Sequence, residues 1–123
     1  MYFRGTVHKK RFDKRIAENS CKCNNAYISA VYLLSANYDA WRSARRYISD
    51  KEIDFSFEVK DLPGETYTVI SVAKDLYMGT SHISLCDICD KYLISSKMFE
   101  LIITAIHIRR IGYDYIEIKP EFN

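Results

Sequence analysis

"TYTVISVAKDLYMG", Thr66 to Gly79, is the stretch that separates a mainly helical chain from a mixed one. Its front half is rich in β-branched residues, which suit a strand. Yet Val69, Val72, Ala73 and Leu76 recur at i, i+3, i+4 and i+7, which is one face of a helix. Gly79 stands where a helix would close on a left-handed residue. The spacing predicts a helix from about residue 65. "DLPGE", Asp61 to Glu65, then reads as a turn inside one domain, punctuated by Pro and Gly.

The flanking segments keep the helical period. "TVHKKRFDKRIAE" (6–18) suits a first helix capped by Thr6, with Val7, Phe12 and Ile16 as a sparse apolar stripe. Asn24 or Asn25 can cap a second over "AYISAVYLLSA", where Tyr27, Ala30, Val31 and Leu34 share a face. "YDAWRSARRYIS" (38–49) follows with Trp41, Ala44 and Ile48 inward. "SKMFELIITAIHIRR" (96–110) is apolar on nearly every side, capped by Ser95 or Ser96 and ended by Gly112. A helix of that kind is expected at the centre of the core, with Phe99, Ile102 and Ile106 among its most buried side chains. Glu100 should mark its one exposed strip, because an unpaired buried carboxylate is too costly. One segment changes period. In "EIDFSFEV" (52–59) Ile53, Phe55, Phe57 and Val59 alternate with polar residues, which predicts a half-buried strand. The tail "YDYIEIKP" is its candidate partner. The fold class is therefore mainly α: one compact domain over residues 1–123, about five helices and a minor two-stranded β element.

"SLCDICDKYL" (84–93) raises the one question of chemistry. Cys86 and Cys89 form a C-x-x-C pair, and Cys21 and Cys23 form a tighter one upstream. Four cysteines suit zinc in number, but "CDIC" lacks a knuckle turn and the one-residue gap of "CKC" is too short. A thioredoxin-type pair needs a strand-to-helix junction, and none is visible. Ser84 and Asp87 instead make a capping box that starts a helix over 85–93, with Leu85, Ile88, Cys89 and Tyr92 on one face. Buried or half-buried free thiols are the expectation, with no metal and no cofactor; Cys21, Cys23, Cys86 and Cys89 as zinc ligands are the alternative. Of the three histidines, His107 is expected to be packed in the core and His82 to lie in a loop. No G-x-S-x-G, H-E-x-x-H or phosphate-loop pattern occurs, and no active site can be read, so the chain is not expected to be an enzyme.

Charge is unevenly placed. Residues 1–15 hold six Lys or Arg against one Asp, whereas residues 51–123 hold eight against twelve acids, within a net charge of only +2. Lys9, Lys10, Arg11, Lys14 and Arg15 make one basic run, and Arg42, Arg45 and Arg46 a second on one helical side. Brought together, they would suit phosphates. The ordinary alternative is a solvated helical face, and the acidic second half weighs against a dedicated DNA binder. The charge asymmetry also suits a second copy of the chain. Ten Tyr in 123 residues suit either a contact-making surface or the rim of a core. No apolar run has the length of a membrane span, and the N-terminus lacks the apolar region of a secretory signal. A cytoplasmic setting is expected.

"HKKRF" (8–12), "AYISAVYLLSAN" (26–37) and "AKDLYMG", "LCDICDKYL" and "FELIITAIHIRR" in the second half resemble an uncharacterised family of small Gram-positive and phage proteins of unknown function. The resemblance implies no activity and lends the cysteines no metal role. It implies a setting in phages and mobile elements. There, by analogy, small Tyr-rich proteins often block a host protein. The expected function is thus a non-catalytic binding protein, of anti-defence or anti-CRISPR type, acting on a host protein such as a defence nuclease. The alternative is a small nucleic-acid-binding regulator that uses the basic N-terminal half.

Overall fold

The computed structural model describes residues 1–18, 24–57 and 63–112. Helices are α1 (Thr6–Glu18), α2 (Asn25–Leu34), α3 (Tyr38–Ala44, continued by a 3-10 turn Arg45–Tyr47), α4 (Gly64–Met78), α5 (Leu85–Cys89) and α6 (Ser96–Ile111). No helix among the described residues is long and apolar enough to cross a membrane.

The core is organised around α2. It packs chiefly on α4 and α6, with α1 and α3 alongside. Every residue from Tyr27 to Leu34 is buried. No charged residue falls between Asn24 and Tyr38, so this short helix can be enclosed on all sides without desolvating a charge. Its polar atoms have partners. Ser29 donates to the Ala26 carbonyl at 3.0 Å and Ser35 to Tyr32 at 3.1 Å. The Tyr27 hydroxyl reaches the Ser49 carbonyl at 2.6 Å, and that of Tyr32 reaches the Tyr2 carbonyl. Burial raises the Tyr32 pKa. Asn24 is the cap: its side chain accepts the Tyr27 N–H.

Thr66–Met78 is helical. Its β-branched residues Thr66, Thr68, Val69, Ile70 and Val72 are buried in a helix that packs on α2, so tertiary burial overrides their strand preference. Thr68 satisfies its hydroxyl on the Gly64 carbonyl at 3.0 Å. Gly79 closes the helix at φ 76°, a conformation that strains residues with a Cβ.

Two expectations are corrected. The first is that α6 is not the central helix. Met98, Leu101, Ile102, Ala105 and Ile108 form one buried stripe, whereas Phe99 and Ile106 are 37% and 36% exposed and His107 is exposed. Lys97, Glu100, His107, Arg109 and Arg110 interrupt its far side and keep it at the surface. Glu100 is exposed, as expected. The second concerns 52–59. Among the described residues no strand forms. Pairing is a single antiparallel bridge between Ile48 and Ile53 across a tight turn. The alternation still marks inside from outside: Ile53 and Phe57 are buried and Phe55 half-buried, while Asp54 and Ser56 are exposed. Glu58, Val59 and the tail "YDYIEIKP" lie outside the described residues.

Candidate functional site

α1 presents three sides. His8, Phe12 and Ile16 face the core, with His8 in the stripe position expected of Val7, which is exposed. On one flank Lys9 pairs with Asp13 at 2.6 Å and lies over Phe3. On the other flank Arg11 and Arg15, one turn apart, meet α3. The Arg11 guanidinium stands 5.7 Å from the Tyr38 ring centre, and that of Arg15 stands 5.9 Å from Trp41. Arg11 also donates to the Ser35 carbonyl at 3.2 Å. These two cation–π contacts bridge α1 to α3 through side chains.

The consequence is electrostatic. Two basic clusters far apart in sequence fall on adjoining helices. Lys10 and Lys14 are exposed beyond Arg11 and Arg15. Arg42, Arg45 and Arg46 are exposed on α3 and its 3-10 extension. No ion pair with another described residue engages these five. Exposed Tyr38 and Tyr47 and half-buried Trp41 are interleaved with them. Of the eight basic residues singled out in the sequence, Lys9 alone turns to the other flank.

Among the described second-half acids, several anchor local structure on other elements. Asp75 accepts the Thr80 hydroxyl at 2.7 Å, the His82 and Ile83 N–H groups and the His82 ring, fastening loop 80–83 to α4. Burial pushes its carboxyl pKa up, but those hydrogen bonds outweigh it and hold it below the ordinary value. Asp87 closes the capping box with Ser84 at 3.0 Å in both directions. Asp54 and Asp90 each accept a backbone N–H two residues on. Glu65 pairs with Arg4.

At the upper end of the basic face lies an open cleft of about 590 Å³, between the start of α1 and the start of α3. Arg4, Val7, Arg11, Asn37, Tyr38 and Asp39 are among its lining residues. Asn37 is held rigidly, its side-chain oxygen accepting the Ala40 N–H at 2.9 Å and the Thr66 hydroxyl at 3.0 Å. Composition offered no signal for this cleft, because it depends on how α1 is laid against α3.

His8 is a buried polar residue that the sequence did not single out. Its Nδ1 accepts the Arg4 N–H at 3.0 Å, and its Nε2–H donates to the Tyr32 carbonyl at 2.8 Å. Burial pushes its pKa down to about 4; the Tyr32 carbonyl partly opposes this, and the Arg11 and Arg4 charges reinforce it. Both ring nitrogens are occupied, so His8 is a packing residue. A histidine one turn before Phe12 on an apolar stripe was the available signal.

Cys86 and Cys89 are free and exposed, which corrects the expectation of packed thiols. The predicted capping box is present, but α5 stops at Cys89, and Leu85 and Tyr92 are 79% and 90% exposed. No group of three His, Cys, Asp or Glu side chains is placed to hold a metal among the described residues; Cys21 and Cys23 lie outside them. Comparison with family models, curated proteins and solved structures finds no match.

Proposed function

We propose that this chain is a small non-catalytic binding protein and that the basic, aromatic face of α1 and α3 is its recognition surface, with nucleic acid as the partner. One observation supports this above the rest. Arg11 on Tyr38 and Arg15 on Trp41 bring the cluster 10–15 to the helix that leads into the exposed Arg42, Arg45 and Arg46. Phosphates demand that arrangement, because each neutralised phosphate releases counterions and the gain grows with the number of cations in reach. Asp54, Asp75, Asp87 and Asp90 keep their charge but are held on elements other than α1 and α3, away from the helices that carry the basic clusters. Non-catalysis is supported by the bonding of His8 and by the role of His82 as part of a loop anchor. The proposed setting is the bacterial cytoplasm, in a phage or mobile element, as the resemblance implies.

The test is fluorescence anisotropy with labelled DNA across a salt series. Binding should weaken linearly in log salt, by about 0.7–0.9 per phosphate contacted. Changing Arg42, Arg45 and Arg46 together to Ala should lower that slope by about 2 without moving the melting temperature, because these side chains are exposed. No binding at physiological salt would reject nucleic acid as the partner. A second function, the anti-defence blocking of a host protein, would draw on Leu85 and Tyr92, which are 79% and 90% exposed, as its contact residues. That function predicts a partner whose capture is lost in Leu85→Ser/Tyr92→Ser and unaffected by salt.

A further inference from the structure

We infer that the cleft between α1 and α3 seats an unpaired base, so that the basic face takes single-stranded nucleic acid rather than duplex; this rests on the function proposed above. Tyr38 carries the inference. It is the first residue of α3 and remains 61% exposed although the Arg11 guanidinium lies over its ring. One side of the ring is thus occupied by a cation, and the rest stays open to an incoming flat group. A base laid there would extend a stack already begun by Arg11, the arrangement that single-strand binders use because every base offers a π-face.

The surroundings suit one nucleotide. A cleft of about 590 Å³ falls within the usual range for small-molecule sites. Arg4, paired with Glu65, and Arg11, held by the Ser35 carbonyl and the Tyr38 ring, line it; the Asn37 amide nitrogen and the Asp39 carboxylate can face a base edge, and phosphates fall to the exposed cations around the cleft. Lys10, Lys14, Arg42, Arg45 and Arg46 continue the positive surface, so the backbone on either side of the seated base has cations to follow. Duplex would use the same cations but could not place a paired, stacked base in the cleft without unstacking it.

The experiment compares a fluorescein-labelled oligothymidylate on the order of 10 nucleotides long with a labelled duplex, using the intact chain at physiological salt. The oligothymidylate should bind more tightly. Tyr38→Ala should weaken oligothymidylate binding by about 5- to 100-fold, the loss expected for one stacked base, and weaken duplex binding distinctly less, since duplex loses only the Arg11 contact of the ring. Tyr38→Phe should retain it, because the ring and not the hydroxyl makes the stack. Quenching of Trp41 fluorescence on binding is a second readout close to the site. Equal binding of both probes, or a Tyr38→Ala variant with unaltered oligothymidylate affinity, would overturn the seated base while leaving the basic face as a nucleic-acid surface. Absence of binding to either probe would overturn both.

Discussion

Acidification from pH 7 to pH 5 should cost this protein about 2 kcal/mol of folding stability through His8 alone. The ring is 3% exposed and is packed against Phe3 and Tyr32 at 5.0 and 4.9 Å between ring centres. A proton added at Nδ1 would point at the Arg4 N–H that this nitrogen now accepts. The fold therefore binds the neutral ring, and the pKa falls from an ordinary 6.5 to about 4, chiefly through burial. The sign follows. Between those two values the unfolded chain takes up the proton and the folded chain does not, so stability falls as the pH falls. The contribution is complete above the unfolded value of 6.5 and is lost by pH 4. In full it amounts to about 3 kcal/mol, most of it gone by pH 5. Urea unfolding at pH 7 and pH 5, on the wild type and on His8→Phe, measures it. Phe can stack with Phe3 and Tyr32 but cannot titrate. The variant should be less stable at pH 7, because the Arg4 N–H and the Tyr32 carbonyl lose their partners, yet its stability should change about 2 kcal/mol less than the wild type's across the interval. An equal loss in both proteins would refute the assignment.

Leu101→Ala should cost about 2–5 kcal/mol in a denaturant melt, whereas Ile106→Ala on the same helix should stay within about 1 kcal/mol, because only the first removes fully buried volume. Comparable losses would place α6 at the centre after all. Asp75→Asn should release loop 80–83, seen as faster amide exchange at His82 and Ile83, at a cost of roughly 1.5–3 kcal/mol. With its carboxyl pKa held below 3.8, the Asp75 contribution is present above that value and lost as the pH drops beneath it. Cys86 and Cys89 should both react promptly with a thiol reagent in the native state, and a chelator should leave the melting temperature unchanged; metal-dependent protection of either thiol would restore the zinc alternative.

Local signals in the sequence determined where most of the helices begin, though not where each ends: α5 stops at Cys89 and α3 at Ala44. Asn24, Asn37, Ser84 and Ser95 each cap the helix that follows, because a short side-chain oxygen can reach the free N–H groups of a first turn wherever the rest of the chain lies. The period of Val69, Val72, Ala73 and Leu76 likewise outweighed the β-branched composition around it. Period also assigned the inner side of Ile53 and Phe57, but not a ladder, since a strand needs a neighbour and periodicity contains none. Which helix is enclosed was decided by tertiary structure. α2 and α6 are both rich in apolar residues, and the difference lies in how many neighbours each receives; the charge-free run from Asn24 to Tyr38 was the one hint. The candidate site was half present in the sequence. The basic residues were countable, but a count does not say that residues 10–15 and 42–46 share a face. Their meeting rests on the side chains that bridge α1 to α3, Arg11 on Tyr38 and Arg15 on Trp41. Contacts across such sequence separations depend on the packing of whole helices, and short-range patterns do not encode them.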